Sequence, residues 1–161
     1  MEKTHIIIVD DHKIVRDGLK ALLLGEPGLK IIGEASSGYE LLDLLKEKTA
    51  DILLLDVSMP GMSGIELTKI IGREYPGIRV LILSANDDKF TLTSALKAGA
   101  LAYLSKEVSK EELIEAIGNV ARGKHYLGTQ MHKAVFESLT SNNEPAKNTG
   151  SEGLTDREKD I

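Results

Sequence analysis

Five side chains in this sequence could together handle a phosphoryl group. They are Asp10 and Asp11 in "HIIIVDD", Asp56 in "ILLLDVSMPGMSG", Ser84 in "VLILSAND" and Lys106 in "AYLSKE". Three carboxylates brought together raise one another's pKa unless a cation offsets the repulsion. The donors are all oxygen, with no thiolate, which suits a hard divalent ion. Mg2+ commonly takes one or two protein carboxylates, waters and a phosphoryl oxygen. Lys106 would add a mobile point charge for the phosphoryl group, and Ser84 a hydroxyl donor. The chemistry described is that of an aspartate that accepts phosphate. Taken singly, each residue has a plainer explanation: an Asp after a strand caps a turn, Ser84 could cap the next helix, and Lys106 could be a solvated loop lysine. Only their joint placement points to chemistry. Tyr103 reads as a packed strand aromatic, and His12 as a partly exposed helix-start residue rather than a ligand. His5, His125 and His132 lie far apart in sequence, without metal-ligand spacing.

The joint placement depends on the elements that carry these residues. Apolar, β-branched runs recur at His5 to Val9, Leu29 to Gly33, Ile52 to Leu55, Arg79 to Leu83 and Leu101 to Leu104, separated by helix-period stretches. Capping boxes at Ser37/Glu40, Ser63/Glu66 and Ser109/Glu112 mark three helix starts. Runs that are apolar on both faces imply a parallel sheet covered by helices on both sides. An eight-unit barrel would need about 250 residues. The expected fold is therefore α/β, a flavodoxin-like doubly wound five-stranded parallel sheet of order 2-1-3-4-5. In such a sheet ligands bind at the C-terminal ends of the strands. Asp10 and Asp11 end the first strand, Asp56 the third and Ser84 the fourth, with Lys106 after the fifth. No G-x-G-x-x-G follows the first strand and no Walker A lysine is present, so a dinucleotide or flavin phosphate has no cradle.

The chain has 161 residues, room for one domain with a proper core plus a short appendage. Its net charge of -5 argues against nonspecific nucleic-acid binding. The absence of cysteine excludes a disulfide scaffold. No apolar run is long enough for a bilayer, and the expected location is cytoplasmic. The βα pattern stops near Gly123, which sets the first domain at 1–123. Residues 124–153 read as an extra helix, Thr129 to Leu139, followed by the polar linker "TSNNEPAKNTGSEG". A fourth capping box, Thr155/Glu158, opens a helix within 154–161 that the sequence does not finish.

With "VDDH", "LLLDVSMPGMSG", "LILSA", "KAGALAYLSK" and "SKEELIEAI" in this order, the first 123 or so residues resemble the receiver domain of two-component response regulators. The resemblance implies that Asp56 is the phosphoacceptor. It also implies that Asp11, Asp56 and the Ser58 backbone carbonyl hold Mg2+ directly, with Asp10 reaching it through water. Lys106 matches the lysine that pairs with the phosphoryl group, Ser84 and Tyr103 the switch hydroxyl and aromatic, and Met59-Pro60-Gly61 the turn after the acceptor. Such a protein is a regulatory phosphoacceptor rather than an enzyme, although it catalyses its own phosphorylation and slow dephosphorylation. The tail "GLTDREKDI", with "DDH" and "ARGKHYL", resembles the opening of a LuxR-type helix-turn-helix domain in the NarL/FixJ subfamily. A second, recognition helix does not follow Ile161, so a truncated DNA-binding domain is expected. The implied partners are a sensor histidine kinase, a second copy in a phosphorylation-promoted homodimer, and DNA only through the C-terminal domain of a longer parent. Competing readings are a phosphohydrolase with an aspartyl-phosphate intermediate, a stand-alone receiver and a flavodoxin-like electron carrier. The first lacks a general acid, because His12 stands where a D-x-D motif needs its second carboxylate.

Overall fold

The computed structural model describes residues 3–85 and 88–129. Strands β1 (Thr4–Val9), β2 (Leu29–Ala35), β3 (Ile52–Asp56), β4 (Arg79–Ser84) and β5 (Ala102–Ser105) alternate with helices. The helices are α1 (Lys13–Leu23), α2 (Gly38–Leu44), α3 (Gly64–Glu74), α4 (Lys89–Ala98) and α5 (Lys110–Ala121). Every strand pair is parallel, and the order begins β2-β1-β3-β4-β5 as expected. A sixth strand, β6 (Tyr126–Leu127), extends the sheet beyond β5 and was not expected from the sequence. Two residues are too few to show a period of two, and what holds them is the free edge of β5. The expected helix from Thr129 to Leu139 lies outside the described residues except for Thr129, as do the linker and the fourth capping box.

The two-sided apolar runs occupy the centre of the sheet. Ile6, Ile8, Ile52, Leu54, Leu81, Leu83 and Leu104 pack on one face with Leu19 and Leu23 of α1 and Leu113, Ala116, Ile117 and Val120 of α5. Alternate residues point to the other face. Ile7, Val9, Leu53, Leu55, Ile82 and Tyr103 are buried there, on the side of α2, α3 and α4. Each fully buried Leu or Ile contributes roughly 1.5–3 kcal/mol relative to exposure.

The three predicted capping boxes form at their hydroxyl ends. Ser37, Ser63 and Ser109 accept hydrogen bonds from the Glu40, Glu66 and Glu112 amides, each at 3.1 Å. Two of the glutamate side chains serve other groups: Glu40 takes the Ser36 amide and hydroxyl, and Glu112 reaches β6. Helix α4 is capped by Asp88, which accepts from the Thr91 amide at 3.1 Å, and Ser84 is the last residue of β4.

Candidate functional site

Asp10 leaves β1 held at four points. Its amide donates to the Ala35 carbonyl of β2 at 3.1 Å, and its own carbonyl accepts from Arg16 Nη1 at 2.6 Å. Oδ1 accepts the His12 amide at 2.8 Å with the His12 ring Nδ1 3.2 Å away, and Oδ2 lies 3.1 Å from Lys106 Nζ. Asp10 is nearly sealed from solvent, at 3% exposure. Burying such a charge is tolerable only with partners of this kind.

Asp56 ends β3 in register with Leu83 of β4, and it too is 3% exposed. Its Oδ1 accepts the Ser58 amide at 3.1 Å and lies 3.3 Å from Lys106 Nζ. Burial pushes the Asp56 carboxyl above the usual carboxylate range. The Ser58 amide opposes that rise, the neighbouring Asp10 charge adds to it, and Lys106 works against it. Burial on its own would lower the Lys106 ammonium, but the pairs with Asp10 and Asp56 outweigh it and hold Lys106 above the ordinary lysine value.

Two carboxylate oxygens in this cluster are buried and accept no hydrogen bond: Asp11 Oδ1 and Asp56 Oδ2. The His12 ring nitrogen lies 3.2 Å from Asp11 Oδ1 without hydrogen-bonding geometry. An orphaned buried acceptor costs roughly 1–3 kcal/mol, more when charged. Ligand atoms from Asp10, Asp11, His12 and Asp56 fall within 4.8 Å of one another. Hard oxygen donors, two of them unsatisfied, fit a divalent cation. The histidine at this position is the α1 N-cap, with a side chain 60% exposed, in agreement with the helix-start reading.

The structure thus brings Asp10, Asp11, Asp56 and Lys106 into one pocket. Ser84 stands beside it, buried at the end of β4, opposite Ser105 and with its carbonyl accepting the Lys106 amide at 2.9 Å. Ser58 sits on the loop after β3. Tyr103 is fully buried in β5, two positions before Ser105.

Two supporting residues escaped the sequence reading. Arg16, from α1, ties the Asp10 carbonyl to the Glu34 carboxylate, which it meets at 2.7 Å and which Lys20 also contacts. Both cations hold Glu34 below the usual carboxylate range, Lys20 most strongly. Gly64 opens α3 so close to the end of β3 that a Cβ there would stand 2.3 Å from the Asp56 carbonyl oxygen and 2.6 Å from Val57 Cα. The serine of the capping box, directly before Gly64, was the available signal for the second. For Arg16 there was none, because its partners lie on another element.

The fold and pocket define a receiver-type phosphoacceptor domain, and comparison with known proteins agrees. A family model described as response regulator receiver domain matches residues 6–118, and the chain belongs to that family. The transcriptional regulatory protein DegU of Brevibacillus brevis is 36% identical over 85% of this chain, which spans 56% of that relative. The nitrate/nitrite response regulator NarL of Escherichia coli K12 is 34% identical over 99% of this chain and 74% of its own length. A two-component response regulator of the LuxR family from Aurantimonas sp. SI85-9A1 superposes with a TM-score of 0.81 at 31% identity, covering 86% of this chain and 99% of that one. The chain is therefore a receiver of the NarL and LuxR type. Among the described residues no helix is long and apolar enough to cross a membrane.

Proposed function

We propose that Asp56 is the phosphoacceptor and that Asp11 and Asp56 hold Mg2+ directly, with the Ser58 carbonyl as a third protein ligand. The observation that carries this reading is the asymmetry of the carboxylates. Lys106 and the His12 amide already occupy both oxygens of Asp10, whereas Asp11 Oδ1 and Asp56 Oδ2 are buried and accept no hydrogen bond. Asp10 is thereby left to meet the ion through water. When bound, the ion supplies charge neutralisation for the transferring phosphoryl group.

The chain's own residues do the rest. An Asp56 oxygen attacks the phosphorus of a phosphohistidine on a sensor kinase. The P-N bond breaks, the imidazole leaves with its electron pair, and an acyl phosphate forms. Lys106, already poised between Asp10 and Asp56, offsets the added charge. Ser84 then donates its hydroxyl to the phosphoryl group, and the setting of Tyr103 follows that of Ser84. Water later cleaves the acyl phosphate slowly. A single charge-assisted hydrogen bond contributes about 1.5–3 kcal/mol, whereas moving a population from 1:99 to 99:1 takes about 5.5 kcal/mol. Ser84 is therefore only part of the switch.

In this reading residues 1–123 are the receiver, 124–153 a helix and linker, and 154–161 the beginning of a LuxR-type helix-turn-helix domain. Phosphorylation promotes a homodimer in the cytoplasm, and transcription is regulated through the DNA-binding domain of the full-length parent. Incubation with Mg2+ and acetyl phosphate, followed by mass spectrometry, tests the core of the reading. Phosphate is expected on Asp56 alone, and its retention by Asp56→Asn would sink the assignment.

A further inference from the structure

Beyond the phosphorylation pocket, one carboxylate ties α5 to β6 and to the residue two positions beyond it. Glu112, in the first turn of α5, accepts the Tyr126 hydroxyl at 3.0 Å, the Thr129 amide at 2.8 Å and the Thr129 hydroxyl at 3.0 Å, all on Oε2. Glu115, one turn on, lies 3.4 Å from the same Tyr126 hydroxyl. The chain that leaves α5 is in this way turned back onto its helix N-terminus and laid along β5. There the Tyr126 amide donates to the Leu101 carbonyl at 2.9 Å and the Gly128 amide to the Tyr103 carbonyl at 3.0 Å. The approach is close: a Cβ on Gly128 would stand 2.9 Å from Leu104 Cδ2 and 3.4 Å from the Tyr103 carbonyl oxygen. Burial and the Glu112 carboxylate both push the Tyr126 phenol upward, so it stays a donor at every physiological pH.

This clasp shares its foundation with the pocket. β5 ends at Ser105, and the next residue is Lys106, which touches Asp10 and Asp56. Ser105 accepts the Val108 amide on its carbonyl at 3.1 Å and the Glu107 amide on its hydroxyl at 3.1 Å, and Ser109 then caps α5 on the Glu112 amide. A recess of about 340 Å³ is bordered by this turn, Glu112 and Thr129. Lys106 and Glu112 are thus the two ends of a seven-residue bridge fixed by local hydrogen bonds.

We propose that Glu112 is a clasp that couples the state of the Asp56 pocket to the segment following α5, holding β6 and the two residues after it against β5 more tightly when Asp56 carries a phosphoryl group. The proposal rests on the phosphorylation reading above. Lys106 now divides its charge between two carboxylates. Phosphorylation exchanges the single charge of the Asp56 carboxylate for the roughly two negative charges of a phosphate beside Lys106, which fixes the end of β5 and the turn behind it. A stiffer platform leaves less ordering entropy to lose when β6 docks. Linkage is reciprocal, so loosening the clasp must weaken phosphoryl-mimic binding by the same factor.

The test is amide hydrogen exchange by NMR on the full chain, with Mg2+ alone and with Mg2+ and beryllofluoride, in the wild type, Glu112→Gln and Tyr126→Phe. The mimic is expected to slow exchange of the Tyr126, Gly128 and Thr129 amides by at least about fivefold, the low end of typical couplings. Both variants should lose most of that gain and bind beryllofluoride correspondingly less well, while the β1 and β3 amides keep their protection. Tyr126→Phe preserves the ring packing if Glu112→Gln disturbs α5. Beryllofluoride bound at Asp56 with no change at these three amides would overturn the clasp and leave the phosphoacceptor reading standing. Failure of beryllofluoride to bind would overturn both.

Discussion

Lys106 Nζ lies 3.3 Å from Asp56 Oδ1 with its side chain only 20% exposed, so the buried Asp56 carboxylate keeps a counter-charge within reach. Removing it leaves two buried carboxylates, Asp10 and Asp56, facing each other. Breaking a buried pair costs about 3–5 kcal/mol, and the partial exposure of Lys106 places Lys106→Ala near the lower figure. Urea unfolding should show that loss without Mg2+ and a smaller one with saturating Mg2+, while phosphorylation by acetyl phosphate slows. An unchanged denaturation midpoint would make Lys106 a bystander.

The Asp56 carboxyl has the opposite effect on stability. Its pKa is raised in the folded state, by burial first and by the Asp10 charge, despite the Ser58 amide and Lys106. The native state therefore binds this proton more tightly than the unfolded chain. Stability tied to Asp56 is present below the unfolded value of about 3.9 and is lost as pH rises through the folded value. At neutral pH without Mg2+, Asp56→Asn should be more stable than the wild type, on the order of 1–3 kcal/mol for one orphaned acceptor. The advantage should shrink as pH falls toward 4. Thermal unfolding across that range reads it directly.

Gly64 tests how closely α3 must approach Asp56, the proposed acceptor. Gly64→Ala places a methyl 2.3 Å from the Asp56 carbonyl oxygen, against backbone that cannot swing aside. Overpacking of this kind typically costs about 1–3 kcal/mol, and here the displaced atoms belong to Asp56, the proposed acceptor, so phosphorylation should slow as well. Gly38→Ala is the control. Its methyl would meet only side-chain atoms of Met62, Sδ at 2.6 Å and Cβ and Cγ at 3.3 Å, which can give way more readily than backbone, and the cost should be below that of Gly64→Ala.

Arg16 anchors the carbonyl between the two acidic residues of the pocket. Arg16→Ala should cost about 1.5–3 kcal/mol, the range for a hydrogen bond from a charged group, and weaken Mg2+ binding in NMR titrations through misplacement of Asp11. Arg16→Lys should recover little, since one ammonium cannot span the Asp10 carbonyl and the Glu34 carboxylate as the planar guanidinium does. Equal Mg2+ affinity in all three proteins would confine Arg16 to a purely structural role.

The strands, the three serine caps and the pocket residues Asp10, Asp11, Asp56 and Lys106 were legible in the sequence because each rests on local rules. Apolar runs such as Ile52 to Leu55 specify buried parallel strands, and the sheet's topology then carries their C-terminal residues to one edge. Other features belong to the tertiary structure alone. The partners of Glu40 and Glu112 departed from the reciprocal box, because nearby donors at Ser36 and on the β6 segment competed for the same oxygens. Strand β6 has no pattern of its own and exists because β5 would otherwise present unpaired backbone groups at the sheet edge. Arg16 meets Asp10 and Glu34 across two elements, and the division of the carboxylates into satisfied and orphaned oxygens emerges only when all of them are in place. Residue type and spacing determined which chemistry this chain could carry, and long-range packing decided which oxygen of each carboxylate is left to do it.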